Sequence, residues 1–178
     1  MHRPFGPSAA LAVLLLVGAC TPTAPTSTIS VSLSPTPSPS ATSLDPAAQD
    51  LRGAEQAIVA LVAKTDALAQ DLSTDAGDVA AVARGDAFTA ELSVLVGRHK
   101  NGYVQIGSRR VLDPHAVLAG PNLWSVTACI DVSGTDVVDK DHKSVVGPSR
   151  APRYAYSYSV IKDGAKFYVN TEEATGTC

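Results

Sequence analysis

Residues 123–132, LWSVTACIDV, decide the fold. Trp124, Val126, Ala128, Ile130 and Val132 alternate with Ser125, Thr127, Cys129 and Asp131. A period of two puts these sets on opposite faces of a β-strand, so the apolar face needs a covering layer. Gly120-Pro121-Asn122 and Ser133-Gly134 bound the strand with turn-forming residues. Outward from it lie further strands. Residues 103–112 and 115–119 precede it, separated by a turn at Asp113-Pro114. Residues 135–138 form a brief pairing segment, and residues 139–152 form a polar loop. Residues 153–161 carry Tyr154, Tyr156 and Tyr158 on one face; Asp163-Gly164 is a hairpin turn, and residues 166–171 return.

Upstream of these strands the period is helical. Asp45 is a suitable N-cap and Pro46 a suitable first helical residue. Leu51, Ala54, Ile58, Leu61, Val62, Leu68 and Leu72 then form one apolar stripe, with Gly53 weakening the helix early. Asp78 caps a short helix over residues 79–84 that Gly85 ends. Asp86 caps a third, with Phe88, Leu92, Leu95 and Val96 on one face. Its last turn holds Arg98, His99 and Lys100, where cations suit the helix dipole, and Asn101-Gly102 stops it. Helices followed by a run of antiparallel strands predict an α+β domain over residues 46–178, its N-terminal helices packed on a curved sheet.

The residues before the domain have a different composition. Residues 1–19 read as an export signal: His2 and Arg3 open it, and the apolar run 9–17 is too short for the roughly 20 residues of a membrane span. Val17-Gly18-Ala19-Cys20 resembles a lipobox. The resemblance implies diacylglyceryl transfer to the Cys20 sulfur and cleavage before it, leaving the protein extracytoplasmic and anchored to the cell membrane. Each buried CH₂ contributes about 0.8 kcal/mol, so two acyl chains hold where one is marginal. The alternative is an ordinary signal cut near Ala19, with Cys20 incidental. Residues 20–45 then form a lipidated tether rich in Ser, Thr and Pro, with no aromatic residue. Such a segment buries too little apolar area to fold, and its composition permits O-glycosylation.

The domain itself resembles the NTF2-like, cone-shaped α+β domains of lipoproteins and phage-associated proteins from high-GC Gram-positive bacteria. The resemblance rests on Trp124-x-Val126-x-x-Cys129-x-Asp131-x-Ser133, Val137-Val138-Asp139, the tyrosine-rich strand, Lys162-Asp163-Gly164 and Gly176-Thr177-Cys178. It spans residues 46–178, with two departures: His142 stands at a turn position where Gly is expected, and Phe167 stands where Trp is expected. It implies a cystatin-like cone with a pocket between sheet and helices, and no particular reaction.

With Cys20 set aside, Cys129 and Cys178 are the remaining thiols. An even pair in an exported protein reads as a disulfide, which on chain entropy would stabilise the fold by up to about 4 kcal/mol. The alternative is two free thiols. The formal charge is −3 and the pI about 5.7, which excludes a nucleic-acid partner bound through a basic stripe. No His pair or Cys/His cluster has metal-ligand spacing. Asp139-Lys140-Asp141 fails as a calcium loop, because Ser144 and Arg150 occupy the positions that require Gly and Glu. No phosphate- or dinucleotide-binding motif is present, so no cofactor is expected.

Catalytic NTF2-like proteins use Asp/His or Asp/Arg pairs inside the cone, which makes Asp131, His115 and Tyr156 the candidates here. Alternation places Asp131 outward as a solvated strand-end carboxylate. His115 reads as a turn-flanking surface residue, the tyrosine stripe as sheet packing, and Trp124 as core. The expected function is therefore a non-catalytic, membrane-tethered module binding a small apolar ligand, a cell-wall component or a protein partner. The rivals are an assembly role through a sheet-to-sheet homodimer and a small cyclase or isomerase with an Asp/His pair.

Overall fold

A computed structural model describes residues 45–178; the export signal, Cys20 and the tether up to residue 44 lie outside the described residues. The element order is α1 (Pro46–Gln70), a 3₁₀ turn (Ala76–Ala81), α2 (Gly85–Asn101), β1 (Val104–Ile106), β2 (Arg110–Gly120), β3 (Leu123–Asp131), β4 (Asp136–Val138), β5 (Arg153–Asp163) and β6 (Lys166–Gly176). The main sheet is antiparallel in the order β2-β3-β5-β6, and β1 pairs with β4 as a separate ribbon. Both helices pack on one face of the main sheet, which makes an α+β domain with helices on a curved antiparallel sheet.

The covered face is the one that alternation assigns. Trp124, Val126, Ala128 and Ile130 of β3 are buried with Tyr158 and Val160 of β5 and Val169 of β6. α1 presents Ala54, Ile58, Leu61, Val62 and Leu68 to them, while Leu72 falls beyond its last turn. Asp45 caps α1 by accepting from the Ala47 N–H at 3.1 Å, with Pro46 opening the helix. Gly53 has a packing role as well as a propensity cost. An added Cβ would lie 2.3 Å from Cε2 of Phe167, whose ring meets Trp124 edge to face with centroids 5.3 Å apart.

Several boundaries differ from the sequence reading. The short helix is a 3₁₀ turn, capped by Asp75 rather than Asp78, with the Asp75 carboxylate accepting from the Gly77 N–H at 2.8 Å. α2 begins at Gly85 after Arg84, so Asp86 lies in its first turn and does not cap it. Val96 is 50% exposed and leaves the apolar face. The single strand expected over residues 103–112 divides at Gly107, whose φ is +74° and whose added Cβ would sit 2.0 Å from the Gly134 carbonyl oxygen. Asp113-Pro114 is a bulge within β2, not a turn. Leu112 opposes Cys129 and His115 opposes Thr127, three residues against two, with Asp113 at φ 48°. In the loop after β4, His142 adopts φ 59°, the left-handed conformation that a glycine would favour.

Alanine at position 53 is expected to destabilise the domain. The helix-propensity gain of up to about 1 kcal/mol is smaller than the typical 1–3 kcal/mol of overpacking, because Trp124 stands behind the displaced Phe167 ring. Urea denaturation of Gly53→Ala should show a lower midpoint; an unchanged or raised midpoint would contradict this packing account.

Candidate functional site

A cavity of about 240 Å³ lies between α1, α2 and the sheet. α1 contributes Leu61, Val62 and Thr65; α2 contributes Glu91, Val94, Leu95 and Arg98. Arg109 precedes β2, and Ile130, Tyr156, Tyr158 and Glu172 line the sheet side. Glu91, Leu95 and Arg98 share a helix face through spacings of four and three. Arg98 lies in the last turn of α2 as expected, and it also lines the cavity.

The cavity wall is held by a buried polar network. Asp66 is 3% exposed. Its carboxylate accepts from the Arg109 backbone N–H at 2.7 Å, from Arg109 Nε at 2.6 Å and from Gln105 Nε2 at 2.7 Å. Arg109 Nη2 also donates to Thr65 Oγ1. Arg98 Nη1 donates to Gln105 Oε1 at 2.9 Å. Burial alone would lower the Arg109 guanidinium, but Asp66 and then Glu91 reverse this and hold it above its ordinary value. Burial lowers Arg98, helped by the nearby Arg109 charge.

The sheet side carries groups without such partners. Tyr156 and Tyr158 stack at 5.6 Å between ring centroids, and burial raises both phenols. Burial also raises Glu91. It pushes Glu172 up to about 7, with the Glu91 charge adding to the effect. Glu172 faces inward because of a bulge at Asn170: Val169 opposes Val160 and Thr171 opposes Ser159, so Glu172 opposes the inward Tyr158. Unbroken alternation from Val169 would have sent Glu172 outward.

The sequence candidates divide around this cavity. Tyr156 lines it and packs on Tyr158. Trp124 is 3% exposed and sits in the core against Phe167. His115 is exposed on the opposite face, within β2 and not beside a turn. Asp131 also lies on that face, but it is not solvated: it is 2% exposed. The Ser133 hydroxyl and N–H donate to it at 2.6 and 2.9 Å, and Arg110 and Arg153 pair with it at 2.6 and 3.6 Å. The Ser133 bonds first, and Arg110 with them, hold its carboxyl well below the usual range. Asp131 and His115 therefore form no acid–base pair in the cavity. Cys129 and Cys178 form a disulfide on this outer face, with an S–S distance of 2.09 Å. No set of three or more His, Cys, Asp or Glu side chains is arranged to hold a metal ion among the described residues.

The sequence matches no protein-family model and no curated protein. The fold is similar to that of a number of solved structures, two of which illustrate it. The intermembrane-space region of the chloroplast protein ARC6 is 16% identical with a TM-score of 0.50, covering 71% of this chain and 97% of its own. A provisionally named aromatic ring hydroxylase from Novosphingobium aromaticivorans is 12% identical with a TM-score of 0.51, covering 73% and 94%. At these identities the likeness is one of fold. Among the described residues, no helix is long and apolar enough to cross a membrane.

Two outcomes follow for the network. Asp66→Asn removes the charge that neutralises Arg109 and should destabilise the domain by about 3 kcal/mol in urea titrations; a change near zero would contradict the buried-pair account. Glu172 binds its proton more tightly when folded than at its ordinary value of 4.5. Stability should therefore fall as pH rises from about 4.5 to about 7 and then level off. Melting curves at pH 5, 6, 7 and 8 should show this decline in the wild type and a weaker one in Glu172→Gln.

Proposed function

We propose that this chain is an extracytoplasmic lipoprotein whose NTF2-like domain is a non-catalytic module for binding a small ligand. Residues 1–19 direct export, Cys20 carries the lipid, and residues 20–45 space the domain from the membrane. The observation that supports binding is the cavity: a recess between helices and sheet where apolar and aromatic side chains meet several convergent polar groups, as small-molecule sites have. Its volume, below the roughly 300–1,000 Å³ of drug-sized sites, favours a small ligand over a polymer strand. The polar lining narrows the earlier expectation of an apolar ligand, while a wall fragment, a protein partner and a sheet-mediated homodimer rest on composition and fold class alone.

A second reading, an acid–base enzyme, is favoured by one observation: the Glu172 carboxyl, near 7, stands opposite Tyr158 in the cavity. A general acid or base works best with a pKa near the working pH. Glu172, not an Asp/His pair, would then carry the proton.

Labelling with palmitate in cells tests the anchor, and thermal-shift screening of a small-molecule panel tests the cavity. Cys20→Ser should lose the label and leave the membrane fraction, and at least one panel compound should raise the melting temperature. Retention of Cys20→Ser at the membrane would refute the lipid anchor. A panel without a single stabilising compound would refute the binding reading, and conversion of a bound compound to product would move the assignment to the enzyme.

A further inference from the structure

The polar groups of the cavity divide into those with protein partners and those without. Arg98 is engaged by Gln105, and Arg109 by Asp66 and Thr65. Glu91 on α2 and Glu172 on β6 accept no hydrogen bond and make no ion pair. Tyr158 is 4% exposed, and its hydroxyl has no hydrogen-bond partner in the protein. No buried side-chain oxygen or nitrogen among the described residues is both sealed from solvent and unpartnered. The Tyr158 hydroxyl is therefore not fully sealed from solvent, and Tyr158 lines the cavity. The unused capacity is two carboxylates, phenol oxygens and a stacked aromatic pair. That set accepts hydrogen bonds and attracts positive charge.

We propose that the cavity binds a small organic cation, its ammonium group seated between Glu91 and Glu172 against the Tyr156–Tyr158 pair. The assignment rests on the binding reading above and names the ligand class for the same site. Three observations carry it. When all three carboxyls of the region (Asp66, Glu91 and Glu172) are ionised they exceed its two guanidiniums (Arg98 and Arg109) by one, so one positive charge then balances it. The two carboxylates that make no direct hydrogen bond or ion pair, though both feel the Arg109 charge, come from opposite walls, α2 and β6, and so face a ligand between them. Two carboxylates alone fall short of the ligand set a metal ion requires, while an ammonium group needs only acceptors and an aromatic face.

The groups facing Glu172 are Glu91 and Arg98 from α2, Arg109 from the start of β2, and Tyr156 and Tyr158 from β5. A cation between the carboxylates favours their charged forms, so binding releases protons and strengthens as pH rises through about 7.

The test uses the mature lipidated protein, from Cys20 onward, in an uncharged detergent, titrated calorimetrically with four probes. Benzylamine and tetramethylammonium supply the positive charge, benzyl alcohol is the neutral comparison and benzoate the anionic one. The expected result is at least ten-fold tighter binding of either cation than of benzyl alcohol or benzoate. Cation affinity should rise at least three-fold from pH 6 to pH 8, and Glu172→Gln and Glu91→Gln should each weaken it at least ten-fold. The wild-type pH series stands independently should either variant fold poorly. Equal or preferred binding of benzyl alcohol or benzoate would overturn the cation assignment and leave the cavity as a binding site. Failure of all four probes to bind, with other small molecules still stabilising the protein, would also overturn the assignment alone; failure of every compound would overturn the binding reading with it.

Discussion

The carboxylate of Asp66 fixes the working end of this domain. It is buried on α1 and accepts from the backbone and side chain of Arg109 and from Gln105 on β1. Gln105 in turn receives Arg98 from α2. One negative charge thus joins both helices to the chain entering the sheet. An isolated buried carboxylate would be strongly unfavourable, and its three donors are what make the position tenable. The same bonds point the arginines along the cavity wall and commit part of their hydrogen-bonding capacity to the protein.

The second constraint is the break in strand parity. Of the four register breaks in β2 and β6, those at Asp113-Pro114 and at Asn170 each insert one residue into the ladder beside the core. The first keeps both Val111 and Ala116 facing the helices. The second turns Glu172 inward opposite Tyr158. Bulges also bend the strands that carry them, which is how a four-stranded sheet can curve around two helices. Next to the second bulge, the chain leaving the 3₁₀ turn bonds Val169 on both sides, with Arg84 N–H donating to its carbonyl and its N–H donating to Val82.

These features explain what could be read from the sequence. β3 was legible because strict alternation survives along its length, and α1 because its stripe and cap coincide. The α+β class followed from those two elements. Glu91 and Arg98 were legible in principle, since they flank Leu95 at helical spacing, but charged residues on a short helix ordinarily face solvent. Glu172 was not legible, because a bulge cannot be placed by composition and alternation from Val169 gives the wrong face. Asp131 was assigned to the correct face but the wrong environment. Its shielding comes from Arg110 and Arg153 on the neighbouring strands, and only the register brings them alongside.

The disulfide has a mechanical consequence. Cys129 and Cys178 are 49 residues apart in sequence, and their bond crosses the outer face of the sheet past Ala155, the residue that opposes both Cys129 and Gly176. Tension applied between the start of α1 and the last residue would pass through the two sulfur atoms and bypass β4, β5 and β6. Those strands could not be drawn out, and roughly 160 Å of extended chain would stay out of the load path. Under tension, the half of the sheet that carries the tyrosine pair and Glu172 would act as a closed ring, while both helices, β1, β2 and β3 up to Cys129 would remain the parts able to unravel.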